Sequence, residues 1–252
     1  MHSTVKNPRP VSHDQRLRTH GVMPFSLSAT VAIAFIAASC ILTGFSVQAQ
    51  EPASSAAVAS IEKEEGFLPL FNGKLLSTWE GKAYWFRVED SAIVAGRLDE
   101  AIPHNYFLCT TQKYSDFELR LQVKVVGDGV NAGIQFRTKR IPGSDEVSGY
   151  QADVGGVGDS QVWGALYDES RRRKMLAQPS KELVDKIVRK DDWNDYVIRC
   201  VGPKIELFVN GTKTVEYTET DADIETSGVI ALQIHSGPPS EAWYRNLRIK
   251  PL

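Results

Sequence analysis

Alternation of apolar and polar residues dominates the chain from about residue 67 onward. Over residues 117–125, Phe117, Leu119, Leu121, Val123 and Val125 fall on one side and Glu118, Arg120, Gln122 and Lys124 on the other. That period of two predicts a β-strand with one buried face. Asn210-Gly211 separates two further alternating runs, 205–209 and 212–217. It predicts a hairpin, because Asn and Gly tolerate the two positive-φ positions of a type I′ turn. Strands are also expected at 86–88, 92–95, 107–110, 134–138, 150–154, 162–167, 196–201, 229–235 and 243–250, and only 181–188 has helical character. Short strands with Gly, Asp and Asn turns and no strand–helix alternation predict an all-β fold, a two-sheet antiparallel jelly-roll sandwich. There is no internal repeat, which disfavours a propeller.

The N-terminus breaks this pattern. Residues 25–47 carry no charge, follow Lys6, Arg9, Arg16 and Arg18, and end in Val47-Gln48-Ala49, a small-residue cleavage pattern. Residues 1–49 are therefore expected to be a signal peptide or, since the run is long enough to span a bilayer, an uncleaved anchor. Ala37-Ala38-Ser39-Cys40 is a poor lipobox, because the apolar run continues past Cys40. Residues 50–66, rich in Ala, Ser and Glu, read as a spacer, and 67–252 as the domain. Every version puts the domain outside the cytoplasm, periplasmic or secreted.

Composition narrows the chemistry. The 252 residues are 42% hydrophobic and 24% charged, with a net charge of −2, ordinary for a globular protein. Removing residues 1–49 takes 4 of the 29 basic and 1 of the 31 acidic residues and leaves −5. No basic footprint remains, so nucleic acid is not an expected partner, and a membrane is one only through the leader. Beyond residue 49 only His104, His235, Cys109 and Cys200 remain of their types. A multi-histidine or Cys-rich metal site is out of reach, and no metal or cofactor is expected. The two cysteines could form one disulfide or stay as buried thiols.

Alternation also sorts polar side chains by face. In Gly133-Ile134-Gln135-Phe136-Arg137 the apolar residues must enter the core, so Gln135 and Arg137 emerge together on the other side. Gln151 and Asp153 pair in the same way along 150–154, and Gln233 and His235 along 232–235. Planar amides and a guanidinium on three strands suit the donors and acceptors of sugar hydroxyls; the alternative is a merely solvated face. Trp163 and Tyr167, in a glycine-rich stretch, are candidates for an aromatic wall against a pyranose ring. That stretch lacks GK[ST] and opens no helix, so it is not a phosphate loop. Arg171-Arg172-Arg173-Lys174 reads as a solvated loop. There is no GxSxG elbow, no recognisable Cys–His pair and no Glu-x-Asp-x-x-Glu ladder of the kind sandwich glycanases carry.

One ordered set of motifs goes further. Leu70-Phe71-Asn72-Gly73-Lys74 and Trp79 open it, followed by Trp85-Phe86-Arg87-Val88-Glu89-Asp90, Asp116-Phe117-Glu118-Leu119 and Asn131-Ala132-Gly133-Ile134-Gln135-Phe136-Arg137. Gly149-Tyr150-Gln151, Gly164-Ala165-Leu166-Tyr167, Trp193-Asn194 and Val209-Asn210-Gly211 come next, then Leu232-Gln233-Ile234-His235-Ser236-Gly237 and Tyr244-Arg245-Asn246-Leu247. This order resembles the 3-keto-disaccharide hydrolase domain family across nearly all of 67–252. The resemblance implies a concanavalin A-like, glucanase-like jelly roll, a bacterial exported setting, and a hydrolase that cleaves glycosides or disaccharides already oxidised to a ketone at C3. The family's Asn-Ser-Gly-Ile-Phe-Phe-Arg strand here has Ala132 and Gln135 and keeps Arg137. Its Gly-Tyr-Glu-x-Gln strand becomes Gly149-Tyr150-Gln151-Ala152-Asp153, which moves the acid two residues along. His235 and Arg245 fall on matching positions.

A C3 ketone acidifies the C2 proton, so a base can remove it and expel the C1 oxygen, and hydration then gives net hydrolysis. His235 is the expected base or acid, Asp153 orients it or acts in its place, and Arg137 stabilises the enolate oxygen. Gln135, Gln151, Gln233, Trp163, Tyr167 and Arg245 are the expected sugar contacts. The three polar pairs should converge on the concave sheet unless a β-bulge rotates one away. The alternative function is a non-catalytic, lectin-like carbohydrate-binding module.

Overall fold

Among the described residues sixteen strands realise the alternation, beginning with β1 (Leu68–Pro69), β2 (Trp79–Glu80), β3 (Phe86–Glu89), β4 (Ala92–Arg97) and β5 (Tyr106–Tyr114). Next come β6 (Phe117–Gly127), β7 (Asn131–Arg140), β8 (Val147–Val157), β9 (Ser160–Gln161), β10 (Leu166–Glu169) and β11 (Lys174–Ala177). After the single described helix α1 (Lys181–Ile187) follow β12 (Asn194–Val201), β13 (Lys204–Val209), β14 (Thr212–Thr218), β15 (Gly228–Ile234) and β16 (Ser240–Pro251). This computed structural model describes residues 64–252 apart from Gly129 and Asp159. The leader and residues 50–63 of the spacer lie outside the described residues.

The strands form two antiparallel sheets. Sheet I runs β14-β13-β12-β6-β16-β4-β3 with β1 on β16, and sheet II runs β11-β10-β8-β7-β15-β5-β2 with β9 on β8. β6 keeps the alternation seen in the sequence: Phe117, Leu119, Leu121 and Val123 are buried and the residues between them are not. They meet Ile134, Phe136, Tyr150, Ala152, Leu232 and Ile234 of sheet II in one core, the layered burial that stabilises a sandwich. Asn210 (φ 49°) and Gly211 (φ 79°) make the expected turn between β13 and β14. Ser180 caps α1 by accepting from the Leu183 amide.

One open alternative is decided and two expectations are corrected. Cys109 and Cys200 are free and buried, on β5 of sheet II and β12 of sheet I, so no disulfide joins them. Burial pushes their thiols up to about 11 and about 12. The expected strand at 162–167 begins only at Leu166, because Gly164 (φ 70°) turns the chain. The basic run is not simply solvated: Arg171 and Arg172 both pair with Asp168, whose side chain is fully buried.

The β7–β8 hairpin decides the shape of the outer face of sheet II. Its register shifts between Phe136 and Lys139, and Arg137 there has φ 44°. A Cβ on Gly228 would lie 2.4 Å from the backbone of Arg137 and Thr138, so the bulge nests on that glycine. Beyond it the hairpin leaves the sheet and crosses β15 and β5. Arg140 reaches Glu80 on β2 at 3.2 Å, and Asp145 meets Lys82 at 2.5 Å. Val147, at the root of this arm, is buried in a second small cluster with Phe107, Cys109, Val229 and Ala231.

Candidate active site

Register aligns the polar residues of sheet II. Gln135 pairs with Gln151 and Gly133 with Asp153 across β7 and β8, while Gln233 of β15 pairs with Gly133. All therefore project from one face, away from the core. The Gln135 amide donates to Gln151, and the Gln151 amide donates to Asp153 at 2.5 Å. Tyr167 pairs with Gln151, so it and Glu169, two residues on, share the face. The Gln233 amide donates to Glu169 at 3.4 Å. The side-chain amide oxygens (Oε1) of Gln135 and Gln233 are buried and have no partner. Such acceptors are costly to leave unpaired, so they point to a ligand that brings hydrogen-bond donors.

Two tyrosines of sheet I hold this floor from below. The Tyr244 hydroxyl donates to the Gln233 carbonyl at 2.6 Å, and the Tyr196 hydroxyl to the Asp153 carbonyl at 2.8 Å. Backbone at two site positions is thereby tied through the core to the opposite sheet.

His235 continues β15: its amide donates to the Asn131 carbonyl, which keeps it in phase with Gln233. Its Nδ1 lies 2.7 Å from the Ser236 carbonyl. A carbonyl only accepts, so Nδ1 carries the proton and neutral His235 presents a free lone pair at Nε2. With one strand between them and two residues of offset, the His235 and Asp153 backbones are about 12 Å apart, from ordinary strand spacing and rise. Side chains from both ends can close on one sugar ring. Asp153 is only 5% exposed. Burial pushes its carboxyl up to about 7; the Gln151 hydrogen bond opposes this and the Glu169 charge assists it.

Three expected residues lie elsewhere. Arg137 does not share the face with Gln135, because the bulge rotates it to the end of the sandwich. There its guanidinium donates to the Ser115 and Gly202 carbonyls at 2.8 and 2.6 Å and pairs with Asp116 at 2.9 Å. Trp163 is not beside Tyr167. The Gly164 turn sends its indole into the core, against Tyr196 at 6.3 Å, where it borders a separate cleft of about 530 Å³ near α1. Arg245 is on sheet I, stacked 3.9 Å from the Trp193 ring and donating to Gln122 at 2.8 Å.

Sequence reasoning missed two acids. Glu169 was legible in principle, two residues past Tyr167 on a strand. Glu146 was not, since it precedes β8 in a turn whose path no periodicity reveals. The arm carries Glu146 over the floor, where its Oε2 is buried without a partner. Burial and the Glu169 charge raise its carboxyl, while His235, Ser170 and Asn105 act the other way. Among the described residues no group of three or more His, Cys, Asp or Glu is arranged to hold a metal ion.

Comparison with solved structures shows the fold. A glycosyl hydrolase candidate from Parabacteroides distasonis ATCC 8503 is 22% identical at a TM-score of 0.55, over 74% of this chain and 99% of that one. Bacillus licheniformis β-glucanase is 13% identical at 0.51, over 75% and 100%. The carbohydrate-binding module CBM66 from Bacillus subtilis is 9% identical at 0.50, over 69% and 95%. The sandwich is thus a concanavalin A-like, glucanase-like jelly roll. No curated protein matches the sequence significantly. The model of the 3-keto-alpha-glucoside-1,2-lyase-like domain matches residues 66–250, the span in which the ordered motifs fall. The chain belongs to the 3-keto-alpha-glucoside-1,2-lyase-like domain family and is a carbohydrate-active protein.

Proposed function

We propose that this is an exported bacterial enzyme that breaks the glycosidic bond of 3-keto-glycosides and 3-keto-disaccharides by elimination across C1 and C2, followed by hydration. One observation carries the reading. A carboxyl that holds its proton up to about pH 7, Asp153, shares a sheet face with an imidazole whose Nε2 is free, His235. His235 removes the C2 proton. The neutral Asp153 carboxyl donates a hydrogen bond to the C3 oxygen as enolate charge develops there, the part first expected of Arg137. Gln135, Gln151 and Gln233 receive sugar hydroxyls, and Tyr167 borders the ring.

The test incubates the protein with a 3-keto-glucoside and with the unoxidised glucoside, following released alcohol and enone absorbance. Cleavage of the ketone alone is expected, and loss of cleavage in His235→Ala with binding retained. Binding without cleavage of any ketosugar would instead establish the lectin-like module.

Gly133 supplies a second prediction. A Cβ there would lie 2.4 Å from Gln151 Cδ, so Gly133→Ala should push Gln151 off Asp153. Overpacking of this kind costs about 1–3 kcal/mol. The substrate KM should rise about tenfold, the effect of roughly one lost hydrogen bond. An unchanged KM in a folded variant would remove Gln151 from the substrate site.

A further inference from the structure

The hairpin arm has no need of an acidic residue for its own anchoring. Asp145 is tied to Lys82 and Arg140 to Glu80, and Val147 is sunk in the small cluster on β5 and β15. Glu146 lies between these anchors, on the face of the arm that looks down on the floor. Its Oε2 is sealed from solvent and has no partner, while Ser170 and Asn105 stand beside the carboxyl as hydrogen-bonding groups and Glu169 and His235 as titratable ones. The side-chain Oε1 atoms of Gln135 on β7 and Gln233 on β15 are likewise buried and without partners. A carboxyl on an arm anchored at both ends, with one buried oxygen unpartnered and an imidazole nearby, is placed to exchange a proton with a bound molecule.

We infer that Glu146 is the general acid that protonates the departing glycosidic oxygen. This assignment rests on the 3-keto-glycoside reading proposed above. His235 Nε2 takes the proton from C2, and the C–H electron pair passes into the enolate of C3. As the C3 carbonyl re-forms, C1 and C2 become doubly bonded and the C1–O1 bond breaks. The electron pair stays on O1, which takes the Glu146 proton, so an alcohol and a 1,2-unsaturated 3-ketone result. Water then adds at C1. The Glu146 carboxylate accepts a proton from that water while the His235 imidazolium returns one to C2, and both groups regain their starting states. Burial and the Glu169 charge shift the Glu146 carboxyl toward its protonated form, against His235, Ser170 and Asn105.

The experiment compares two 3-keto-glucosides, one with a 4-nitrophenyl and one with a methyl leaving group, in wild type, E146Q and E169Q. A nitrophenolate leaves without protonation, whereas an alkoxide does not. E146Q should therefore lose on the order of 10²–10³-fold in kcat on the methyl glycoside and less than about tenfold on the nitrophenyl one. E169Q should affect both substrates alike. An equal loss on both substrates in E146Q, no loss on either, or the leaving-group pattern in E169Q instead would each overturn the assignment while leaving the parent reading intact. A wild-type protein that cleaves neither substrate would overturn both. Matching far-UV circular dichroism of E146Q and wild type secures the comparison.

Discussion

Asp153→Asn is expected to lower turnover of a 3-keto-glycoside on the order of 10²–10³-fold and, in the same protein, to raise stability at neutral and alkaline pH. The loss follows from replacing a neutral acid by an amide, a poorer donor to a developing enolate oxygen. The gain follows from linkage. Burial raises the Asp153 carboxyl from 3.8 to about 7, so between those values the folded state holds a proton that the unfolded chain has released. Stability is then greatest below pH ~4 and falls as pH rises through about 7. A shift of this size corresponds to a few kcal/mol. Asparagine has the same shape, keeps an oxygen for the Gln151 amide to donate to, and does not titrate. Urea denaturation at pH 5 and pH 8 checks this: the variant's advantage should widen with pH. Parallel pH dependences would refute the buried-acid account, and full turnover would remove Asp153 from catalysis. Sites that hold a strained or desolvated group commonly trade stability for activity in this way.

Asp168→Asn is expected to be the most destabilising single change outside the core, by about 3–5 kcal/mol. The Asp168 side chain is fully buried and receives both Arg171 and Arg172. Arg172 also reaches Glu219 at 2.6 Å, and Glu219 accepts from Tyr150, again at 2.6 Å. Burial works against the Glu219 charge, but the hydrogen bonds from Arg172 and Tyr150 hold its carboxyl at about 2. Its contribution is present above pH ~4.5 and is lost as pH falls toward 2. Removing the Asp168 charge takes the carboxylate from the partly buried Arg171 guanidinium and leaves Arg172 with Glu219 alone, and neither group can shed its proton. The melting temperature should drop on the order of 10 °C. Asp185→Asn is the control: its pair with Lys181 is exposed on α1 and should be worth under about 0.5 kcal/mol. Equal effects of the two substitutions would show that the Asp168 network is not the anchor of this corner.

Much of the fold was legible because alternation is a local property. β6 reads directly as its burial pattern, and Asn210-Gly211 forms the turn its φ preferences demand. Gln135, Gln151, Asp153 and Gln233 share a face because the apolar neighbours of each had to enter the core. The same rule failed where backbone left the strand path. Gly164 turned Trp163 inward, and the bulge after Phe136 sent Arg137 to Asp116. A residue with positive φ outside a turn breaks the period of two, and no pattern of side chains announces it.

By itself, then, the sequence determined the class of fold, the strand faces and most of the polar floor, since these depend on which neighbours are apolar. Only the tertiary structure decided which strands became neighbours, that Arg245 would lie on the opposite sheet from His235, and that the β7–β8 arm would fold over β15 and β5. It also decided that Glu146 would hang above a floor whose residues are distant in sequence. The reason is physical: strand pairing, bulges and buried charge networks take their free energy from contacts between remote segments, and local periodicity carries no record of them.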